Sequence, residues 1–136
     1  MSTAHVLVVD DEEDIRDVLK IILERAGFEV DVAASADDGI GMMRDKKADV
    51  VVTDIIMPGK DGVDAVYDIR MEFPKTKIIV ISGGGNVKPD SYEPGAIKTM
   101  AYLASASAAG ADVTLTKPFE RDELISAVKG LVETSA

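Results

Sequence analysis

The feature that most constrains the fold of this 136-residue chain is a strict alternation of two kinds of apolar segment. Short runs rich in β-branched residues, typical of strands, alternate with longer stretches whose apolar residues recur at helical spacing. The predicted strands cover residues 5–9, 28–34, 49–54, 77–82 and 112–116, and the predicted helices cover residues 12–27, 35–47, 62–73, 96–110 and 121–133. This order predicts an α/β fold: an open, five-stranded parallel sheet with helices on both faces.

The composition narrows the class of protein further. Apolar residues make up 46% of the chain, which is enough for the core of one domain. The net charge of −10 argues against binding to nucleic acid or to an anionic membrane, because both partners attract Lys/Arg patches. The chain has no cysteine, and its first apolar run is too short for a signal peptide or a membrane span. We therefore expect a soluble cytoplasmic protein without disulfides.

Polar residues stand at the carboxyl ends of four predicted strands. Asp10 and Asp11 follow the first strand, Asp54 ends the third, Ser82 ends the fourth and Lys117 follows the fifth. Ligands of open parallel sheets bind beyond these ends, where the strand order reverses. Each residue alone has an ordinary explanation, such as a solvated acidic turn or a surface lysine, but their common position predicts one shared site.

The chemistry of this set points to phosphoryl transfer. Three clustered carboxylates repel one another unless a cation lies among them, and oxygen ligands without His or Cys favour Mg²⁺. Asp54 could then act as the nucleophile toward a phosphoryl group. Lys117 and the Ser82 hydroxyl would neutralise the charge on the phosphoryl oxygens, and Gly83 would leave room for that group.

Other site motifs fit the sequence poorly. The glycines at 83–85 lack the Gly-Lys-Ser/Thr ending of a P-loop, and the first predicted β–α turn carries acids instead of the glycines of a dinucleotide site. His5, the single histidine, lies at the opposite end of its strand, so we expect a structural role. A Mg²⁺-dependent phosphohydrolase of the haloacid-dehalogenase type stays open as an alternative. Its nucleophile would be Asp10, with Glu12 as the second acid.

Four segments resemble the receiver domain of two-component response regulators: VLVVDDEEDIR, DIIMPGKDG, IVISG and LTKPF, in this order and at this spacing. The resemblance covers essentially the whole chain, which we expect to be one stand-alone receiver over residues 1–136 without an output domain. It implies a flavodoxin-like sheet of order 2-1-3-4-5. It also implies a histidine kinase or a histidine phosphotransfer protein as phosphoryl donor. A degenerate receiver that acts only as an interaction module is a further alternative.

The resemblance also assigns roles to individual residues. Asp54 matches the phosphorylated aspartate. Asp10, Asp11 and the backbone carbonyl of Ile56 match the ligands that hold Mg²⁺ together with it. The other matches are the switch hydroxyl at Ser82, the phosphoryl-contacting lysine at Lys117 and a proline that is typically cis at Pro118.

Two departures from the family pattern concern the output. Receivers usually carry an aromatic residue three positions before the lysine, where this chain has Thr114. The stretch between the switch hydroxyl and that lysine is also longer than usual, with the surplus in the loop 83–95. We expect a downstream protein to contact this loop and the face formed by the fourth predicted helix, the fifth strand and the fifth helix.

Overall fold

A computed structural model describes residues 3–54, 62–82, 110–116 and 119–134. Its strands are β1 (His5–Val9), β2 (Glu29–Ala33), β3 (Val50–Asp54), β4 (Lys77–Ser82) and β5 (Val113–Thr116). Its helices are α1 (Glu13–Arg25), α2 (Ala36–Asp45), α3 (Gly62–Glu72) and the last helix (Arg121–Thr134). The predicted helix 96–110 and the loop 83–95 lie outside the described residues, apart from Gly110.

The five strands form one parallel sheet of order β2-β1-β3-β4-β5, which confirms the predicted flavodoxin-like topology. All residues of β1 and β3 are buried, as expected for central strands covered on both faces. The chain leaves β1 toward β2 on one side and returns to β3 on the other. The strand order therefore reverses between β1 and β3, and their carboxyl ends lie side by side.

The sheet separates two hydrophobic cores. Because side chains alternate between the faces of a strand, Leu7 and Val9 enter one core and Val6 and Val8 enter the other. The first core is completed by apolar residues of α2 and α3, and the second by apolar residues of α1 and the last helix. Helices thus cover both faces, as the sequence predicted.

Local signals in the sequence set the helix ends. The Ser35 hydroxyl accepts a hydrogen bond from the backbone N–H of Asp38 at 3.1 Å, which confirms Ser35 as the N-cap of α2. Gly27 has a φ of +101°, which only glycine adopts readily, so α1 ends before it. Glu12 is still extended, so α1 begins one residue later than predicted.

The amino edge of the sheet, where the strands begin, is tied together by polar contacts. His5 lies there, as predicted: its backbone N–H donates to Asp49 Oδ2 at 2.8 Å, and its ring Nε2 lies 2.6 Å from Asp31 Oδ2. His5 is buried and joins three segments of the chain. These contacts fit the structural role expected for this residue.

Arg70, near the end of α3, forms a second junction at the amino edge. Its guanidinium donates to the carbonyls of Pro74 and Thr76 at 2.9 Å each, to the carbonyl of Gly110 at 2.8 Å and to Asp112 Oδ2 at 2.7 Å. Gly110 has a φ of +127°, which favours glycine, and a Cβ there would lie 3.0 Å from the Arg70 side chain. Arg70 therefore joins α3, the approach to β4 and the approach to β5.

Candidate functional site

Three aspartates meet at the carboxyl edge of the sheet. Asp10 and Asp11 follow β1, Asp54 is the last residue of β3, and the register pairs Val9 with Thr53 just before them. One carboxylate oxygen from each of the three acids lies within 4.8 Å of the others. Asp10 and Asp54 are buried, whereas Asp11 is exposed. The sequence predicted this convergence, and we call the three residues the acidic pocket.

Asp10 is fixed at three points. Its backbone N–H donates to the carbonyl of Ala33 at 3.1 Å, which continues the pairing of β1 with β2. Its Oδ1 accepts the backbone N–H of Glu12 at 2.9 Å, and its carbonyl oxygen accepts Arg16 Nη1 at 2.7 Å. The β1–α1 turn is therefore held in one conformation, which sets the direction of the Asp10 carboxylate.

Asp54 is held by the sheet. It pairs with Ile81 of β4, and its carbonyl oxygen accepts a hydrogen bond from the Thr53 hydroxyl at 3.1 Å. Asp54 has little backbone freedom, because it is paired with β4 and the preceding residue, Thr53, is paired with both neighbouring strands. The exposed Asp11 then forms the open side of the pocket.

The residues of the acidic pocket fit a Mg²⁺ ion. Like charges at this separation repel one another, and burial of two of them strengthens the repulsion. A divalent cation relieves it, and carboxylates combined with water are the usual ligands of Mg²⁺. The donor set contains oxygen alone: the chain has no cysteine, and its one histidine lies at the amino edge. Such an acidic cluster is typical of a receiver Mg²⁺ site.

The remaining predicted site residues are described only in part. Ser82 ends β4 and pairs with Thr116, while Thr114 pairs with Val80 and is exposed. Thr116, which pairs with Ser82, is closer to the carboxyl edge. Thr114 lies two residues farther from that edge. The roles predicted for the other residues stay predictions, because the described residues do not include Ile56, Gly83, Lys117 and Pro118.

A parallel sheet of this order, with an acidic pocket at its switch point, defines a receiver-like α/β domain. Residues 6–129 match the response regulator receiver domain family. The DNA-binding transcriptional regulator NtrC of Azospirillum brasilense is 34% identical over 129 residues, which are 95% of this chain and 24% of that protein.

Solved structures give the same answer. A CheY-like response regulator receiver domain protein from Methanospirillum hungatei has a TM-score of 0.83 and 25% identity, with 98% of this chain and 97% of that one covered. NtrX from Brucella abortus, solved in complex with ADP, has a TM-score of 0.83 and 33% identity over 98% of this chain and 28% of its own. The chain spans about a quarter of the length of its relatives NtrC and NtrX.

The chain belongs to the response regulator receiver domain family. Members of this family are signalling domains rather than catalytic enzymes, so the match decides against the phosphohydrolase alternative. The family also implies a histidine kinase as partner. None of the helices in the described part of the chain is long and apolar enough to cross a membrane.

Proposed function

We propose that Asp54 accepts a phosphoryl group from a histidine kinase or a histidine phosphotransfer protein, with Mg²⁺ bound in the acidic pocket. The observation that carries this proposal is the convergence of one buried nucleophile and two further carboxylates within 4.8 Å at the switch point of the sheet. A carboxylate held by strand pairing is oriented before the donor arrives, which lowers the entropy cost of the transfer.

In this reaction an oxygen of the Asp54 carboxylate attacks phosphorus and the phosphorus–nitrogen bond of the phosphohistidine breaks, which gives an acyl phosphate and a free imidazole. The ion, when bound, neutralises charge on the phosphoryl oxygens. Asp10, Asp11 and Asp54 would hold the ion, and the backbone carbonyl of Ile56 would be a further ligand. Lys117 and the Ser82 hydroxyl would contact the phosphoryl oxygens.

Intact mass spectrometry after incubation with Mg²⁺ and acetyl phosphate tests the proposal. The wild-type chain should gain the mass of one phosphoryl group, and Asp54→Asn should gain none. Asp49→Asn, an acid at the amino edge, is the matched control and should be labelled like the wild type. Label that persists in Asp54→Asn and maps to another residue would contradict the assignment. An unlabelled wild type would favour the degenerate receiver that acts only as an interaction module.

We propose that the output runs through the loop 83–95 together with the face formed by segment 96–110, β5 and the last helix. An aromatic switch at position 114 is unavailable, because the residue is an exposed threonine on β5. Phosphorylation would draw Ser82 toward the phosphate and reorder the glycine-rich stretch that follows it. Amide hydrogen exchange with and without a phosphoryl mimic should then change most in residues 83–100. Changes confined to the surroundings of Asp54 and Lys117 would contradict this output route.

The signal passes by protein contact in this proposal. The net charge of −10 favours a protein partner over nucleic acid or an anionic membrane. We also propose a cytoplasmic location. The NtrC relative is a DNA-binding transcriptional regulator, but this chain spans only 24% of that protein.

A further inference from the structure

Arg16 is the one basic residue in the stretch 10–17, which contains six acids. Helical side chains lean toward the amino end of their helix, and Arg16 follows this rule. It reaches back across the first turn of α1, where its Nη1 donates to the carbonyl oxygen of Asp10 at 2.7 Å. The guanidinium is half-buried against the turn that carries the acidic pair.

The atom that Arg16 contacts has a particular place in the site. The carbonyl of Asp10 belongs to the peptide group that links Asp10 to Asp11. Because a peptide group is planar, a strong bond to its oxygen restrains the backbone torsions on either side. Those two torsions, ψ of Asp10 and φ of Asp11, set the direction of one carboxylate relative to the other. A bond from a charged donor is among the strongest ties available for this purpose.

The other contacts of this turn do not replace that tie. Asp10 is also bonded through its N–H to Ala33 and through its carboxylate to the N–H of Glu12. The first bond fixes the residue on the strand side, and the second fixes its side chain. The Glu12 bond closes a ring that includes the Asp10–Asp11 peptide and restrains it from the side-chain end, and the Arg16 bond adds a direct tie to the oxygen of that peptide.

We infer that Arg16 is a positioning residue that presets Asp10 and Asp11 for a divalent cation. The inference rests on the proposed function for the identity of that cation as Mg²⁺. Arg16 touches the backbone carbonyl of Asp10, so it acts through the orientation of the pocket.

Removal of the Arg16 side chain should have two opposite effects on the affinity for Mg²⁺. The Arg16 guanidinium repels a cation in the pocket, so its loss should increase the affinity for Mg²⁺. Because solvent screens this repulsion, the increase should be only a few-fold. Loss of a group that orients a metal ligand commonly weakens binding by roughly 10–100-fold. We therefore expect the orienting effect to dominate.

The test is an NMR-monitored titration of the full chain with Mg²⁺, followed at the amides of the β1–α1 turn. Arg16→Ala should raise the Mg²⁺ dissociation constant about tenfold. Arg16→Lys keeps a cationic donor and should lie between Arg16→Ala and the wild type. Arg25→Ala is the matched control, because it removes the same charge from an exposed position on the same helix. It should stay within about twofold of the wild type.

A merely structural role would give a different pattern. Arg16→Ala would then lower the urea midpoint of unfolding and leave the Mg²⁺ dissociation constant equal to that of Arg25→Ala, which would overturn the inference. Tighter binding in Arg16→Ala would overturn it as well, because repulsion would then outweigh orientation. Should Arg16→Ala fail to fold, Arg16→Gln and Arg16→Lys carry the same comparison.

The failure of this inference can be told apart from the failure of the proposed function. A wild-type chain that neither binds Mg²⁺ nor gains a phosphoryl group would refute the proposed function, and the role of Arg16 would fall with it. A wild-type chain that does both, beside an Arg16→Ala variant with unchanged affinity, would refute the role of Arg16 alone.

Discussion

The two edges of the sheet use charged side chains in opposite ways. Four pairings of a basic with an acidic side chain lie toward the amino edge in the described part of the chain: His5–Asp31, Glu29–Lys46, Arg44–Glu72 and Arg70–Asp112. At the carboxyl edge, three acids face one another. The same residue type, aspartate, therefore pairs with basic side chains at one edge and clusters with other acids at the other.

This difference follows from the polarity of a parallel sheet. Helices that cross over between parallel strands begin near the carboxyl edge and end near the amino edge. The carboxyl edge thus collects strand ends and helix starts, where carboxylates and anions are favoured by backbone N–H groups. The amino edge collects helix ends, where basic residues such as Arg44 and Arg70 are favoured and can pair with acids. The acidic pocket therefore lies at the edge where a parallel sheet binds its ligands.

Removal of Asp112 should produce the largest loss of stability at the amino edge. Its Oδ2 accepts hydrogen bonds from Arg70 Nη2 at 2.7 Å and from the backbone N–H of Ile78 at 2.8 Å. Asp112→Ala should lower the free energy of unfolding by about 1–2 kcal/mol, because the N–H of Ile78 loses its side-chain acceptor and the Arg70 guanidinium loses its one carboxylate partner in the described structure. Urea denaturation measures this, with Asp45→Ala, an exposed acid at the end of α2, as the control. Equal midpoints for the two variants would contradict the structural role of the amino edge.

A substitution of Ile56 should change the rate of dephosphorylation rather than the stability of the fold. Hydrolysis of an acyl phosphate needs an oriented water, and the residues two after Asp54 and two after Ser82 are Ile56 and Gly84. Neither side chain can hydrogen-bond to water, so the phosphoryl group should be long-lived. Ile56→Asn should speed its loss roughly tenfold, equivalent to about 1.4 kcal/mol of barrier. Intact mass followed over time measures the decay.

The control for this prediction comes from the other edge. Asp112→Ala, under conditions where it is folded, should lose its phosphoryl group at the wild-type rate. A wild type that decays as fast as Ile56→Asn would contradict the argument from water placement.

A smaller effect of opposite sign is expected at Asp11. Without divalent cations, Asp11→Ala should raise the free energy of unfolding by about 1 kcal/mol, because it relieves repulsion within the acidic pocket. The same variant should lose Mg²⁺-dependent phosphorylation while it keeps its fold. Thermal unfolding without Mg²⁺ measures the relief of repulsion. Thermal unfolding with Mg²⁺ should show that the ion stabilises the wild type and not Asp11→Ala. A destabilised Asp11→Ala protein would show that this edge, too, is held together by its acids.

The smallest effect concerns the Arg44–Glu72 pair. The hydrogen bond from Arg44 holds the pKa of Glu72 below its ordinary value of 4.5. A lowered pKa in the folded state means that the pair stabilises the fold above pH 4.5 and loses this effect as pH falls through the folded pKa. Wild type should therefore be slightly more stable than Glu72→Gln at neutral pH, and the difference should vanish in acid. A constant difference between the two thermal midpoints across this range would rule the linkage out.

Much of the fold and of the pocket could be predicted from the sequence. The runs HVLVV and DVVVTD indicate strands buried on both faces, and their positions agree with β1 and β3 almost residue for residue. The meeting of Asp10, Asp11 and Asp54 followed because parallel strands end at a common edge. These predictions succeed because they depend on local periodicity and on sheet polarity alone.

The contacts of individual arginines could not be predicted in this way. Arg70 meets Asp112, 42 residues away, because the order of the strands brings α3 beside the approach to β5. Arg16 and the Asp10 carbonyl are only six residues apart, yet their contact depends on how the side chain leans across the turn. A sequence pattern shows that Arg16 stands alone among acids, but it does not show which oxygen it binds.

The division of the interior into two cores has a consequence for how substitutions combine. Ile69 and Phe73 pack on one side of the sheet, and Leu19 and Leu124 pack on the other. Residues that share no partner usually contribute independently to stability. Paired substitutions across the sheet should therefore be additive, whereas pairs within one core should be coupled. One face can thus be altered with little epistasis from the other.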